Sequence, residues 1–116
     1  MKYIKTYEDS NEKPKIGDYV ITNWNFPDDP SWAKYINDRI GQIVDIDNHI
    51  DLYYCKYELD DDIFYKFFRR RSERKLTYDE NGKHYINMKI KDHYLKVFSP
   101  DKEKLAMLLA GIKYNL

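Results

Sequence analysis

The side chains with the most obvious chemical reach lie in Arg69-Arg70-Arg71-Ser72-Glu73-Arg74-Lys75. Four of the chain's five arginines fall between positions 69 and 74, whereas its 15 lysines are dispersed. Guanidinium forks bind phosphate or carboxylate through two parallel hydrogen bonds, so Arg69, Arg70, Arg71 and Arg74 suit an anionic partner. A nucleic acid, a nucleotide or an acidic protein surface would all fit. The competing structural reading is a basic helix end, solvated or paired with acids of the same domain. A second set is aromatic: Trp24, Phe26, Trp32, Tyr35 and Tyr54. Aromatic faces stack on bases or hold a cation, though the same residues could simply close one end of the domain. Trp32 stands out because it follows Pro30 in a loop that need not be hydrophobic.

Catalytic and metal chemistry find less support. Asp45, Asp47 and Asp51 flank His49, but a calcium loop starting at Asp45 needs glycine at position 50 and glutamate at 56. The chain has Ile50 and Lys56 there. His49, His84 and His93 have no zinc-ligand spacing with the single Cys55. None of the four glycines lies in a phosphate-cradling loop, and no serine has the context of a nucleophile elbow. The reading is a protein that is not an enzyme, with no catalytic residues, no metal and no cofactor. Cys55 reads as a small buried group on a strand.

These residues sit in a chain of 116 residues, enough for one domain with a modest core. Aromatic residues make up 16% of it, and 12 of them are tyrosines. Formal net charge is zero, yet residues 1–62 hold 14 acids and 7 bases, and residues 63–116 hold 6 acids and 13 bases. The chain is polarised, although folding can interleave its halves. No apolar run approaches the roughly 20 residues of a membrane span. The opening MKYIKTYEDSNEK has no apolar centre of a secretion signal. With one cysteine, the expected location is the cytoplasm.

The elements that must position the candidates follow from pattern. Residues 16–59 read as three strands around a long aromatic loop at 25–39. The first strand is DYVITNW, from Asp18 to Trp24, and the second is IGQIVDID, with Ile40, Val44 and Ile46 on one face. In the third, DLYYCKYEL, Tyr53, Cys55, Tyr57 and Leu59 point inward and Tyr54, Lys56 and Glu58 outward. Asp47-Asn48-His49-Ile50 joins the last two as a hairpin. Ser31 caps one helical turn over 31–37. DDDIFYKFFRRR suits a short helix over 60–71, its acids leading and its bases trailing, as the helix dipole favours, with a strand as the alternative. Asp60-Asp61-Asp62 is its capping end. Asn81-Gly82 demands a type I′ hairpin within Lys75–Ile90, with Ile86, Met88 and Ile90 inward. A strand over 93–98 follows, then Ser99-Pro100-Asp101 opens a C-terminal helix burying Leu105, Leu108, Leu109 and Ile112. The expected class is α+β in a single domain over 1–116. Residues 1–15 are an N-terminal extension anchored by Tyr3, Ile4 and Tyr7, 16–98 are β-rich, and 99–116 are the C-terminal helix.

GDYVI, a long loop, IGQIVDI and YYCKYE together resemble a Src-homology-3-like barrel. That resemblance implies a small β-barrel or strongly bent antiparallel sheet of five to six strands, with a short middle helix. It further implies an aromatic-lined groove framed by the long first loop and the neighbouring hairpin loop. MKYIKTYE at the start and FSPDKEKLAMLLAGIKYNL at the end resemble small uncharacterised accessory proteins of tailed phages and metagenomic sequences. By that resemblance the chain works in a host-cell cytoplasm as a viral, non-catalytic inhibitor that binds and blocks a host protein, such as a defence-system component. A nucleic-acid-binding barrel is the alternative, and sequestration of a small anionic nucleotide the second. The expected contact surface joins Trp32, Phe26, Trp24, Tyr35 and Tyr54 to the four clustered arginines, with no membrane involved.

Overall fold

The computed structural model describes residues 5–6, 13–68 and 77–114. In chain order the elements are β1 (Lys5–Thr6), β2 (Tyr19–Thr22), α1 (Pro30–Asn37), β3 (Gly41–Asp47), β4 (Leu52–Leu59) and α2 (Asp61–Phe67). Next come β5 (Thr77–Glu80), β6 (Lys83–Lys91), a 3₁₀ turn (Asp92–Tyr94), β7 (Leu95–Ser99) and α3 (Lys102–Tyr114). The fold is α+β. Its strands form one open antiparallel sheet, ordered β1-β7-β2-β3-β4-β6-β5. Six strands of four or more residues fall within the expected five or six, and the two-residue β1 adds a seventh at one edge.

Alternation decides which side chains reach the core. In β4, Tyr53, Cys55, Tyr57 and Leu59 are buried, as their spacing predicts. In β6, Ile86 and Ile90 are buried and Met88 packs against them. Asn81 and Gly82 have φ of 53° and 75°, the positive pair that a two-residue type I′ connection requires. β3 departs from expectation. A bulge between Ile43 and Asp45 shifts its register against β4, so Ile43 is 1% exposed and Val44 is turned out to 38%.

Opposite faces of the sheet carry separate cores. Val20 and Phe98 face a large cluster with Ile43, Tyr57 and Ile90, closed by Trp32 and Ile36 of α1, Phe64 of α2 and Phe68 just beyond it. Their neighbours Ile21 and Val97 face the other way, against Leu105 of α3. Strand alternation thus places α1 and α2 on one side and α3 on the other. Leu108 and Leu109 pack beside Leu105 as expected, while Ile112 lies outside the described side chains.

The helix starts differ in detail from the pattern. α1 begins at Pro30, and its cap is Asp29 rather than Ser31: Asp29 Oδ1 accepts from the Trp32 N–H at 3.1 Å. α2 is a helix, with Asp61 and Asp62 in its first turn and no side-chain cap bond from Asp60. β7 begins at Leu95 because residues 92–94 form the 3₁₀ turn. Ser99 is the buried last residue of β7, and its Oγ accepts from the Asp101 N–H at 3.0 Å. Asp101 in turn accepts from the Glu103 N–H at 3.0 Å, so α3 starts at Lys102, beyond the expected Ser99 cap. Among the described residues no helix is long and apolar enough to cross a membrane.

Candidate functional site

The loop between β2 and α1 is organised by one amide. Asn37, the last residue of α1, accepts from the Trp24 N–H at 2.7 Å through Oδ1 and donates to the Trp24 carbonyl at 2.7 Å through Nδ2. The same Oδ1 accepts from the Thr22 hydroxyl at 2.9 Å. Asn23 N–H donates to Tyr94 O at 2.7 Å, and Asp29 N–H to Phe26 O at 3.1 Å. A loop satisfied in this way has its backbone fixed before any partner arrives. On it Trp24 and Phe26 stack at 5.0 Å with an interplanar angle of 18°. Trp24 is half-buried against the main core and Phe26 is 36% exposed.

Trp32 and Tyr35 form a different pair, stacked at 5.6 Å. Trp32 is 9% exposed and belongs to the main core, where Phe68 meets its ring edge-on at 5.8 Å. The reason is helical: α1 turns residues 32, 33 and 36 to one side, and that side is the sheet. The singled-out Trp32 is thus a core residue. Tyr35 is half-buried, its hydroxyl donating to Asp60 Oδ2 at 3.2 Å and accepting from the Asp60 N–H at 3.1 Å. Arg39 completes the group, 4.9 Å above the Tyr35 ring and 3.0 Å from Asp60 Oδ2. Burial pushes the Tyr35 phenol up from its ordinary value, against the lowering effect of the Asp60 N–H and of Arg39. Asp60 therefore ties α2 to α1, which the capping expectation did not include.

Tyr54 does not join these residues. It alternates with Tyr53 and Cys55, so it lies on the opposite face of the sheet from the core that holds Trp24 and Tyr35. Arg69, Arg70, Arg71 and Arg74 lie outside the described residues, as do Tyr3, Ile4 and Tyr7.

The outward face of the sheet carries groups that pattern alone did not single out. Lys56 stands 4.2 Å from the Tyr85 ring centroid, and Tyr85 stacks on Tyr78 at 5.7 Å. Tyr78 donates to Asn87 Oδ1 at 3.0 Å. At the β5–β6 end, His84 lies flat on Phe64, 3.8 Å between centroids, with Nδ1 at 2.6 Å from Asp79 and Nε2 at 3.6 Å from Asp61. An Asp–His pair is the core of many general bases, but here the second nitrogen faces another carboxylate rather than a hydroxyl or thiol. Cys55 is fully buried, and desolvation pushes its thiol up to about 12, which disfavours the thiolate that nucleophilic chemistry needs. Among the described residues no group of three His, Cys, Asp or Glu side chains could hold a metal ion.

No protein-family model, no curated protein and no solved structure matches the chain.

Proposed function

We propose that the chain is a non-catalytic binding protein that engages another protein through its β2–α1 loop. The observation that carries this reading is the Trp24–Phe26 stack, partly exposed on a loop whose backbone Asn37 already holds in place. Interfaces gain most of their affinity from a few rigid aromatic anchors at their centre, surrounded by contacts that exclude water. A fixed loop also loses little conformational entropy on binding. The tip residues Asp28 and Asp29 make the same surface acidic, although Asp29 is engaged in capping α1.

The strand order supports a Src-homology-3-like reading of the fold. β7, β2, β3, β4 and β6 are successive antiparallel neighbours, with the long connection between β2 and β3 and a tight hairpin between β3 and β4. In that reading α1 fills the long first loop, and α2 with β5 is an insertion between β4 and β6. The loop bearing Trp24 and Phe26 then corresponds to one wall of the aromatic-lined groove of such barrels. The resemblance of the chain's ends to tailed-phage accessory proteins directs the search for the partner to host-cell proteins, blocked by occupation of this surface.

Affinity capture from a host lysate tests the proposal, comparing the wild type with Phe26→Ala, Trp24→Ala and Tyr54→Ala. A partner recovered by the wild type is lost by roughly 30-fold or more with Phe26→Ala or Trp24→Ala, matching an anchor worth about 2 kcal/mol. Tyr54→Ala, on the far face, retains it. Full retention by both loop variants would show that the loop is not the contact.

A further inference from the structure

A cleft runs along the outward face of the sheet, where α3 leaves the β3–β4–β6 region uncovered. It has two chambers that share Ile40, Glu58 and Lys102. The larger, of about 410 Å³, has a wall of Ile40 from the α1–β3 connection and Ala106, Leu109 and Ala110 of α3, with Asp38, Arg39, Glu58 and Lys102 completing its lining. The smaller, of about 150 Å³, is lined by Tyr19, Gln42, Lys56 and Tyr85. The larger chamber thus has one apolar wall facing charged groups, and the smaller offers ammonium, amide and phenol groups.

The charges around the cleft are not balanced. Its two acids are each matched by a lysine outside the lining: Asp38 by Lys34 at 2.9 Å and Glu58 by Lys83 at 3.5 Å. Arg39 is paired with Asp60 at 3.0 Å and Lys56 with Glu80 at 3.5 Å. Lys102 has no carboxylate partner among the described residues and sits 6.0 Å from the Tyr19 ring centroid, at the junction of the chambers. The unmatched charge among the described residues is therefore positive, and it stands where the two chambers meet.

We infer that this cleft binds a small amphipathic anion, its apolar body along Ile40 and Leu109 and its negative group between Lys102 and Lys56. The shared chemistry is an apolar body carrying one carboxylate or phosphate. The site uses none of the residues of the Trp24–Phe26 loop, so its fate is separate from that of the proposed protein interface.

Titrating the isotopically labelled full chain with octanoate, 1-octanol and acetate, followed by amide chemical shifts, tests this. Octanoate should shift Ile40, Lys56, Lys102 and Ala106 saturably, while octanol binds roughly three- to fivefold more weakly, since one solvent-accessible charge pair contributes little more. Acetate, lacking the apolar body, should bind more weakly still. Lys102→Gln, at an exposed position, should bring octanoate down to the affinity of octanol, whereas Lys96→Gln should leave it unchanged. Equal binding of octanoate and octanol would overturn the inference. So would shifts centred on Trp24 and Phe26, wild-type affinity in Lys102→Gln, or no saturation by octanoate.

Discussion

Gly41 opens β3 with its Cα against the buried ring of Tyr57, and a single methyl group tests that contact. A Cβ at position 41 would meet Tyr57 Cζ at 2.6 Å, Cε1 at 2.9 Å and Cε2 at 3.0 Å. Tyr57 has no exposed surface and its hydroxyl lies 3.4 Å from Thr22 Oγ1, so the ring has no free end to swing away. The position itself would otherwise welcome alanine. Replacing strand glycine should gain about 0.5–1 kcal/mol of conformational entropy. Overpacking a filled core costs about 1–3 kcal/mol, and contacts this short on a rigid ring argue for the upper end. The net expectation for Gly41→Ala is a loss of about 2 kcal/mol, or roughly 8 °C in Tm at about 4 °C per kcal/mol. Differential scanning calorimetry and urea titration measure it. A double-mutant cycle locates the cause: Tyr57→Leu removes the three offending carbons and should recover most of the Gly41→Ala penalty, with a coupling of about 2 kcal/mol. Tyr57→Phe keeps all three carbons and should recover none. If Gly41→Ala matched or exceeded wild-type stability, the packing argument would be wrong.

Two further outcomes follow from the interior. Burial raises the folded-state pKa of Cys55 from 9.0 to about 12 and also raises that of Tyr57, so both stay neutral in the fold while the unfolded chain ionises. The unfolded state then binds fewer protons above pH 9, so this contribution to stability is full below about pH 9 and is lost as pH rises towards 12. Urea titrations at pH 7.5 and 10 should show the decline, and a thiol reagent at pH 8 should react with Cys55 only at the rate of unfolding. Asn37→Ala removes three hydrogen bonds to Thr22 and Trp24 and leaves partly buried backbone groups of Trp24 unmatched, at a cost of about 1–3 kcal/mol. Hydrogen exchange at Trp24 should quicken more than the global change explains. Unchanged protection there would refute the role given to Asn37.

Much of the sheet was legible because strand chemistry is local. The alternation of Tyr53, Cys55, Tyr57 and Leu59 and the Asn81-Gly82 turn each carry their own physical reason within a few residues. β3 was misjudged at Val44 because a bulge is a property of two strands in register, and one strand's alternation does not contain it. Trp32 looked like a loop aromatic because Pro27 and Pro30 punctuate the stretch, yet Pro30 is the first residue of α1 and the helix turns Trp32 into the core. Arg39 was passed over beside the arginine cluster, since its partners Tyr35 and Asp60 meet it only through α1 and α2. Tyr19, Lys56, Tyr85 and Lys102 come from four separate elements and share a cleft only because α3 covers part of the outward face. No spacing in the chain announces that. The arginine cluster itself lies outside the described residues.

The two faces of the sheet have unequal holdings, and this divides the molecule's cooperativity. Among the described residues the α1–α2 side buries fourteen core residues and the α3 side three, while β2 and β7 serve both through alternate side chains. Each buried apolar side chain contributes about 1.5–3 kcal/mol, so detaching α3 costs far less than dissolving the larger core. The sheet keeps its backbone ladder when α3 leaves, because no strand depends on it for hydrogen bonds. The C-terminal helix is therefore expected to behave as a separable cooperative unit. It is expected to open at a free energy below that of global unfolding, baring Ile21 and Val97, and amide exchange along α3 faster than in β4 measures this.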